Sequence, residues 1–77
     1  MIDLHGYHLH EAWKHFNKGI EQHYYNNYRN KVTVITGQGV IMREFPTWAQ
    51  NHPLVKEIRQ QPHNPGSFSV ILLRRKQ

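Results

Sequence analysis

Apolar positions along this chain change their period several times, and each change marks an element. Met1-Ile2-Asp3-Leu4-His5 alternates apolar and polar residues and then meets Gly6, the pattern of a short strand ending in a turn. Leu9, Ala12, Trp13, Phe16 and Ile20 then recur at helical spacing, with Tyr24 and Tyr28 continuing the stripe. This predicts an amphipathic helix from Leu9 to Tyr28, slightly weakened by Gly19. No Ser, Thr, Asp or Asn precedes it, so its cap comes from His8 or the backbone. Asn26, Asn27 and Asn30 supply the stop. Lys31–Thr36, KVTVIT, is nearly continuous and β-branched, which predicts a strand buried on both faces. After Gly37-Gln38-Gly39, Ile41, Met42, Phe45, Trp48 and Ala49 predict a second helix. Pro46 either begins a new helix or kinks this one, and Asn51-His52-Pro53 ends it. Leu54–Arg59 predicts a third strand, Gln60–Ser67 a polar loop, and Phe68–Leu73 a last strand.

The order is β-α-β-α-β-β. Strands alternating with helices imply right-handed parallel crossovers, and the last two strands can pair as an antiparallel hairpin. Two helices are enough to cover one face of a sheet. The predicted fold is a two-layer α/β sandwich with a four-stranded mixed sheet and both helices on one face, a single domain over residues 1–77.

Composition narrows the function. Ten Lys and Arg face five Asp and Glu, a formal charge of +5, and a small basic domain favours an anionic partner, most often nucleic acid. With no cysteine, a disulfide, a thiolate zinc site and a cysteine nucleophile are excluded. No apolar run approaches the roughly 20 residues of a membrane span, and the N-terminus lacks the pattern of a signal peptide. The expectation is a cytoplasmic protein without a membrane partner.

Two turns carry candidate chemistry. In Asp3-Leu4-His5-Gly6 the acid and the imidazole share one strand face, with Ile2 and Leu4 on the other. The pair stands at the carboxyl end of the first strand, where open α/β sheets place their sites. An aspartate beside a histidine orients it and raises its basicity, as general acid–base work needs. The alternative is a capped strand end beside a surface histidine. Thr36-Gly37-Gln38-Gly39 joins the strongest strand to the second helix, and glycines there let backbone N–H groups approach an anion. The dinucleotide pattern fails at Met42, and no Gly-Lys-Ser/Thr follows for a P-loop. Arg43, on the first turn of that helix, suits a phosphate clamp, or else a solvated face. His5, His8, His10 and His15 cluster in sequence, but without HExxH or a shared face no metal site is predicted; His8 is placed near the active face. Trp13, Phe16, Phe45 and Trp48 stand at core spacing and are read as packing. Arg74-Arg75-Lys76 is a basic tail able to meet phosphate.

The ordered set DLHG, EAW, VTVITGQG, MREFPTWAQNHPLV and GSFSVILLRR resembles the small MutS-related (Smr) domain over nearly all of the chain. REFPTW is most similar to stand-alone proteobacterial members. The resemblance implies a fold like the C-terminal domain of bacterial translation initiation factor three. It also implies RNA or DNA binding, with endonuclease activity in many members and ribosome rescue in some. It carries the family's acid and histidine onto Asp3 and His5, its glycine loop onto Thr36, Gly37 and Gly39, and its final loop onto Gly66. Gly6, His8, Gln38, Arg43, Arg74 and Arg75 complete the expected nucleic-acid contacts. Cleavage of RNA would need no metal, whereas DNA nicking would use water and a divalent ion, magnesium or manganese. A non-catalytic nucleic-acid or ribosome-binding module is the alternative. Three departures matter. Thr36 stands where many members have histidine, Gln38 replaces a frequent lysine, and Asn64-Pro65 replaces part of a glycine pair. Stand-alone members usually carry a segment ahead of this motif, so an isolated or minimal domain, monomeric, is expected.

Overall fold

The computed structural model describes residues 1–26 and 30–73. Tyr28, Arg74, Arg75 and Lys76 lie outside the described residues. The elements are β1 (Ile2–Asp3), α1 (Leu9–Asn26), β2 (Lys31–Ile35), α2 (Val40–Gln50), β3 (Val55–Gln61) and β4 (Asn64–Leu72). They form one four-stranded sheet in the order β1-β2-β4-β3. β1 pairs parallel with β2, and β4 pairs antiparallel with both β2 and β3. The crossover from β2 through α2 to β3 therefore links parallel strands, with β4 inserted between them.

One face of the sheet carries the core. Ile2 is in register with Val34, Val34 with Phe68, and Val32 with Val70. These residues are buried together with Ala12, Phe16 and Ile20 of α1 and Ile41, Phe45 and Ala49 of α2. Phe16 meets Phe45 edge-on at 5.1 Å between ring centroids, and Phe45 lies 4.9 Å from Phe68. Both helices thus pack on the same side. Burying each of these large side chains contributes about 1.5–3 kcal/mol. Trp13 and Trp48 close the helix pair edge-to-face at 5.2 Å, so the aromatic stripe is packing. At Gly19, α1 approaches β1 so closely that a Cβ would lie 2.8 Å from Ile2 Cδ1.

Several sequence-based boundaries shift, each for a local reason. β1 stops at Asp3 because the Asp3 carboxylate accepts the His5 N–H, diverting the backbone from the ladder. Only the Leu4 N–H continues it, to Ile35 O at 2.7 Å. β2 is buried on one face, through Val32 and Val34; Thr33 and Ile35 are half-buried on a side that no helix covers. Pro46 neither starts a helix nor ends one, since α2 runs through it and loses a single N–H. The predicted Gln60–Ser67 loop is mostly strand. β3 and β4 extend until Gln61 pairs with Asn64, leaving Pro62-His63 as the turn. A register shift follows, in which Gln60 faces Phe68. Pro65 has no N–H for the ladder, and Gly66 leans away from β3 toward the end of β2.

Candidate functional site

The first turn is built by hydrogen bonds from three sides. Tyr7 N–H bonds Leu4 O at 3.3 Å, closing Leu4–Tyr7, and Gly6 takes φ 85° at the third position. Such a turn needs φ > 0 there, which glycine supplies without strain. His5 is thereby held at the tip. Its ring Nδ1 lies 2.9 Å from Asp3 Oδ1, and its backbone N–H donates to the same oxygen at 3.0 Å. An ionised carboxylate only accepts, so Nδ1 carries a proton, and in the neutral ring Nε2 is the acceptor. Both side chains are solvent-accessible, 70% for His5 and 48% for Asp3. The side-chain bond from His5 holds the Asp3 carboxyl below its usual value, helped by the His5 backbone N–H and by the fields of His5 and His15. Asp3 therefore keeps its charge to a lower pH than a free aspartate, and its bonds orient the imidazole.

The second turn lies against the first. Gly37 has φ 72°, and a Cβ there would come within 3.2 Å of His5 Cβ. Behind it sits Gly66, where a Cβ would meet the Gly37 carbonyl carbon and oxygen at 2.9 Å. Gly66 O accepts the N–H groups of Thr36 (2.7 Å) and Gly37 (3.2 Å). The Thr36 hydroxyl is shared between Gly66 O at 3.1 Å and Gly37 O at 2.8 Å. Gly66 and the Thr36 hydroxyl thus clamp the loop from behind, while Gly37, Gln38 and Gly39 face the solvent side.

Both helices begin at this place. His5, Gly6, Tyr7 and His8 line an open cleft of about 510 Å³ together with Leu9, Thr36–Gly39, Val40 and Ile41. The first intrahelical bond of α1 runs from Ala12 N–H to His8 O at 2.8 Å, and Gly39 precedes α2 with no side-chain cap. The first intrahelical bond of α2 runs from Arg43 N to Gly39 O. The N–H groups of residues 40–42 are the uncapped donors of a helix start, with a dipole favouring negative charge. Beside the glycine loop they present donors that an anion can meet, next to the His5 imidazole.

The cleft brings together His5, Gly6, His8, Thr36, Gly37, Gln38 and Gly39, while Asp3, bonded to His5, lies outside its lining. Arg43 is exposed on the same first turn but does not line it, and Gly66 is buried behind it. Tyr7 was missed by sequence reasoning, although it lines the cleft. Its place inside DLHGYH, one residue past the turn glycine, was the available signal. Among the described residues no group of three or more His, Asp or Glu side chains could hold a metal ion, and one Asp3 oxygen is already engaged twice by His5. These donors do not fit a resident divalent ion. No helix among the described residues is long and apolar enough to cross a membrane.

Residues 2–76 match the family of the Smr domain. The chain belongs to the Smr domain family. Among solved structures it is similar to the Smr domain of Thermus thermophilus MutS2, with TM-score 0.84 and 17% identity over 94% of this chain and 95% of that one. It is also similar to the human small-MutS related domain, with TM-score 0.65 and 27% identity over 95% and 100% of the two chains. The SMR domain of NEDD4-binding protein 2 follows, with TM-score 0.64 and 26% identity over 97% and 86%. No curated protein matches this chain. The first of these likenesses speaks for the fold alone, and it agrees with the mixed sheet and two helices described above.

Proposed function

We propose that this Smr domain is a nucleic-acid endonuclease that cuts RNA by an internal route. The observation that carries the reading is the contact between the two turns. It sets the His5 imidazole beside backbone donors that can cradle a phosphate. In the proposed reaction the Gln38–Gly39 backbone and the N–H groups of residues 40–42 hold the scissile phosphate, since the Gly37 N–H is taken by Gly66 O. His5 Nε2 takes the proton of the neighbouring 2′-hydroxyl, and the freed oxygen attacks phosphorus. The bond to the 5′-oxygen breaks, water supplies that oxygen with a proton, the hydroxide left takes the proton from His5, and the products are a 2′,3′-cyclic phosphate and a 5′-hydroxyl. Asp3 stabilises the imidazolium that forms. Arg43, with Arg74 and Arg75 of the tail, holds flanking phosphates. A cytoplasmic setting, action on ribosome-bound messages and kinship with stand-alone proteobacterial members, suggested by REFPTW, belong to the same proposal.

The test is incubation with labelled single- and double-stranded RNA and DNA, with EDTA and with magnesium, followed by end-group analysis. The parent should cut RNA in EDTA, leaving cyclic phosphate ends. His5→Ala should cut about 10²–10⁴-fold more slowly, the usual worth of a general base, with its fold intact. A folded His5→Ala protein that cuts as fast as the parent would sink the assignment. Thr36 favours a second reading, in which the domain binds RNA or DNA without cutting. At the position where many members have histidine, the hydroxyl is occupied inside the loop and offers no acid to the leaving group. That reading expects salt-sensitive binding and no products after long incubation.

A further inference from the structure

Tyr7 stands beside this cradle and has no part in the chemistry above. Its ring lies 5.2 Å from that of His15 on α1, tilted by 35°. It nevertheless keeps 42% of its surface open to solvent, unlike the aromatic rings of Phe16 and Phe45, which are fully enclosed. The Leu4–Tyr7 turn, closed by its own N–H, fixes the backbone from which it projects. The cleft therefore has two unlike parts. Backbone amides and the start of α2 lie on the 38–42 side, suited to an anion. An aromatic ring backed by an imidazole stands on the other, with His5 two residues away. A nucleotide has the same two parts, a phosphate and a flat π-surface.

We propose that Tyr7 is a stacking platform for one unpaired nucleobase next to the phosphate held by the glycine loop, which makes single-stranded nucleic acid the preferred ligand. The proposal rests on the nucleic-acid reading given above. A base paired in a duplex cannot offer its face to a side chain, whereas an unpaired base can, and every base has such a face. Tyr7 would act by positioning the strand, leaving proton transfer to His5.

The experiment measures binding, so that cutting does not enter. The ligands are a labelled 2′-O-methyl RNA strand, the same strand bearing abasic nucleotides, and the matching duplex. Tyr7→Ala should weaken single-strand binding by about 5- to 100-fold, the range of base–aromatic stacking, while duplex binding changes by less than about twofold. Tyr7→Phe, which keeps the ring, should bind as the parent does. The abasic strand should bind parent and Tyr7→Ala alike. The proposal is overturned if Tyr7→Ala holds the intact strand as tightly as the parent, or if single-strand and duplex binding fall together. The parent's own preference for the intact over the abasic strand tests the idea even if the alanine variant melts early, and equal binding of the two overturns it. A parent that binds neither strand nor duplex removes the nucleic-acid reading itself, a result distinct from the loss of stacking alone.

Discussion

His52 shows how one buried group ties this fold to pH. Its ring stands edge-on to Phe16 at 5.9 Å, and its Nδ1 accepts the Leu54 N–H at 3.1 Å. Burial pushes its pKa below the usual histidine value, against a smaller opposing pull from Glu21. The folded chain thus protonates His52 less readily than the unfolded chain, which titrates near about 6.5. Above that value neither state binds the proton, and the stability contributed by the neutral ring is whole. Below it the unfolded chain takes up a proton that the folded chain resists, so this stability is lost as pH falls through the folded pKa. Melting temperature should therefore drop as the buffer is taken from about pH 8 to about pH 5. His52→Gln should start lower, by about 1–3 kcal/mol for a disturbed buried partner, and show a flatter acid limb. An equal slope in both proteins would remove His52 as the cause. Other single residues differed in how well they could be read beforehand. Asp3 and His5 were legible because a period of two puts them on one face. Tyr7 was less so, because an exposed ring just past a turn has no periodic partner and only its place after the turn glycine marks it, whereas the fold sets it in the cleft lining. Thr36 was read as a phosphate neighbour, yet its hydroxyl serves the loop through a carbonyl thirty residues away, a contact no local pattern announces.

Among elements, the packing of α1 on β1 turns on one pair. Gly19 costs its helix about 1 kcal/mol relative to alanine, but it lets the helix settle onto Ile2. An added Cβ would stand 2.8 Å from Ile2 Cδ1 and 3.0 Å from Cγ1, so propensity and packing oppose each other. In the parent, Gly19→Ala should change stability little, because the propensity gain is offset by overpacking. Ile2→Val removes Cδ1, the nearest obstruction, and alone should cost about 0.5–1.5 kcal/mol. Combined, the two changes should couple favourably by about 0.5–1 kcal/mol, read as chemical-denaturation midpoints of the four proteins. Strict additivity would mean that helix and strand do not meet at this point in solution. Element types and their order were legible from periodicity, since each apolar stripe is long enough to show its period. Ends were less so. Asp3 cut β1 short with its own side chain, and strands β3 and β4 reached into a stretch whose Pro and Gly signalled a loop. Those residues serve a register shift instead. Proline gives up its ladder bond, and Gly66 turns its carbonyl to the N–H groups of Thr36 and Gly37.

At the scale of the whole molecule, topology gathers the site. β1 and β2 are parallel neighbours, so their carboxyl ends open on the same edge and the helices that follow both begin there. β4, placed between β2 and β3, delivers Gly66 to the back of the glycine loop. That insertion was not legible, since a hairpin pairing of the last two strands leaves open which side of it meets β2. The charge balance of +5 acts over the same scale, and its partner can be counted by salt. Each phosphate that the protein neutralises on a single strand releases counterions and steepens the fall of log K with log salt by about 0.7. Arg43 stands exposed on the first turn of α2, just outside the cleft lining, where the next phosphate along the strand would pass. Arg43→Ala should make that slope shallower by about 0.7 and weaken binding by a similar factor across unrelated sequences. The slope is the better reading than affinity at one salt concentration. A structural disturbance of α2 lowers affinity without changing the number of ions released, whereas a lost phosphate contact must change both. An unaltered slope would place Arg43 on a solvated helix face and leave the backbone cradle, rather than this guanidinium, to hold the strand at the helix start.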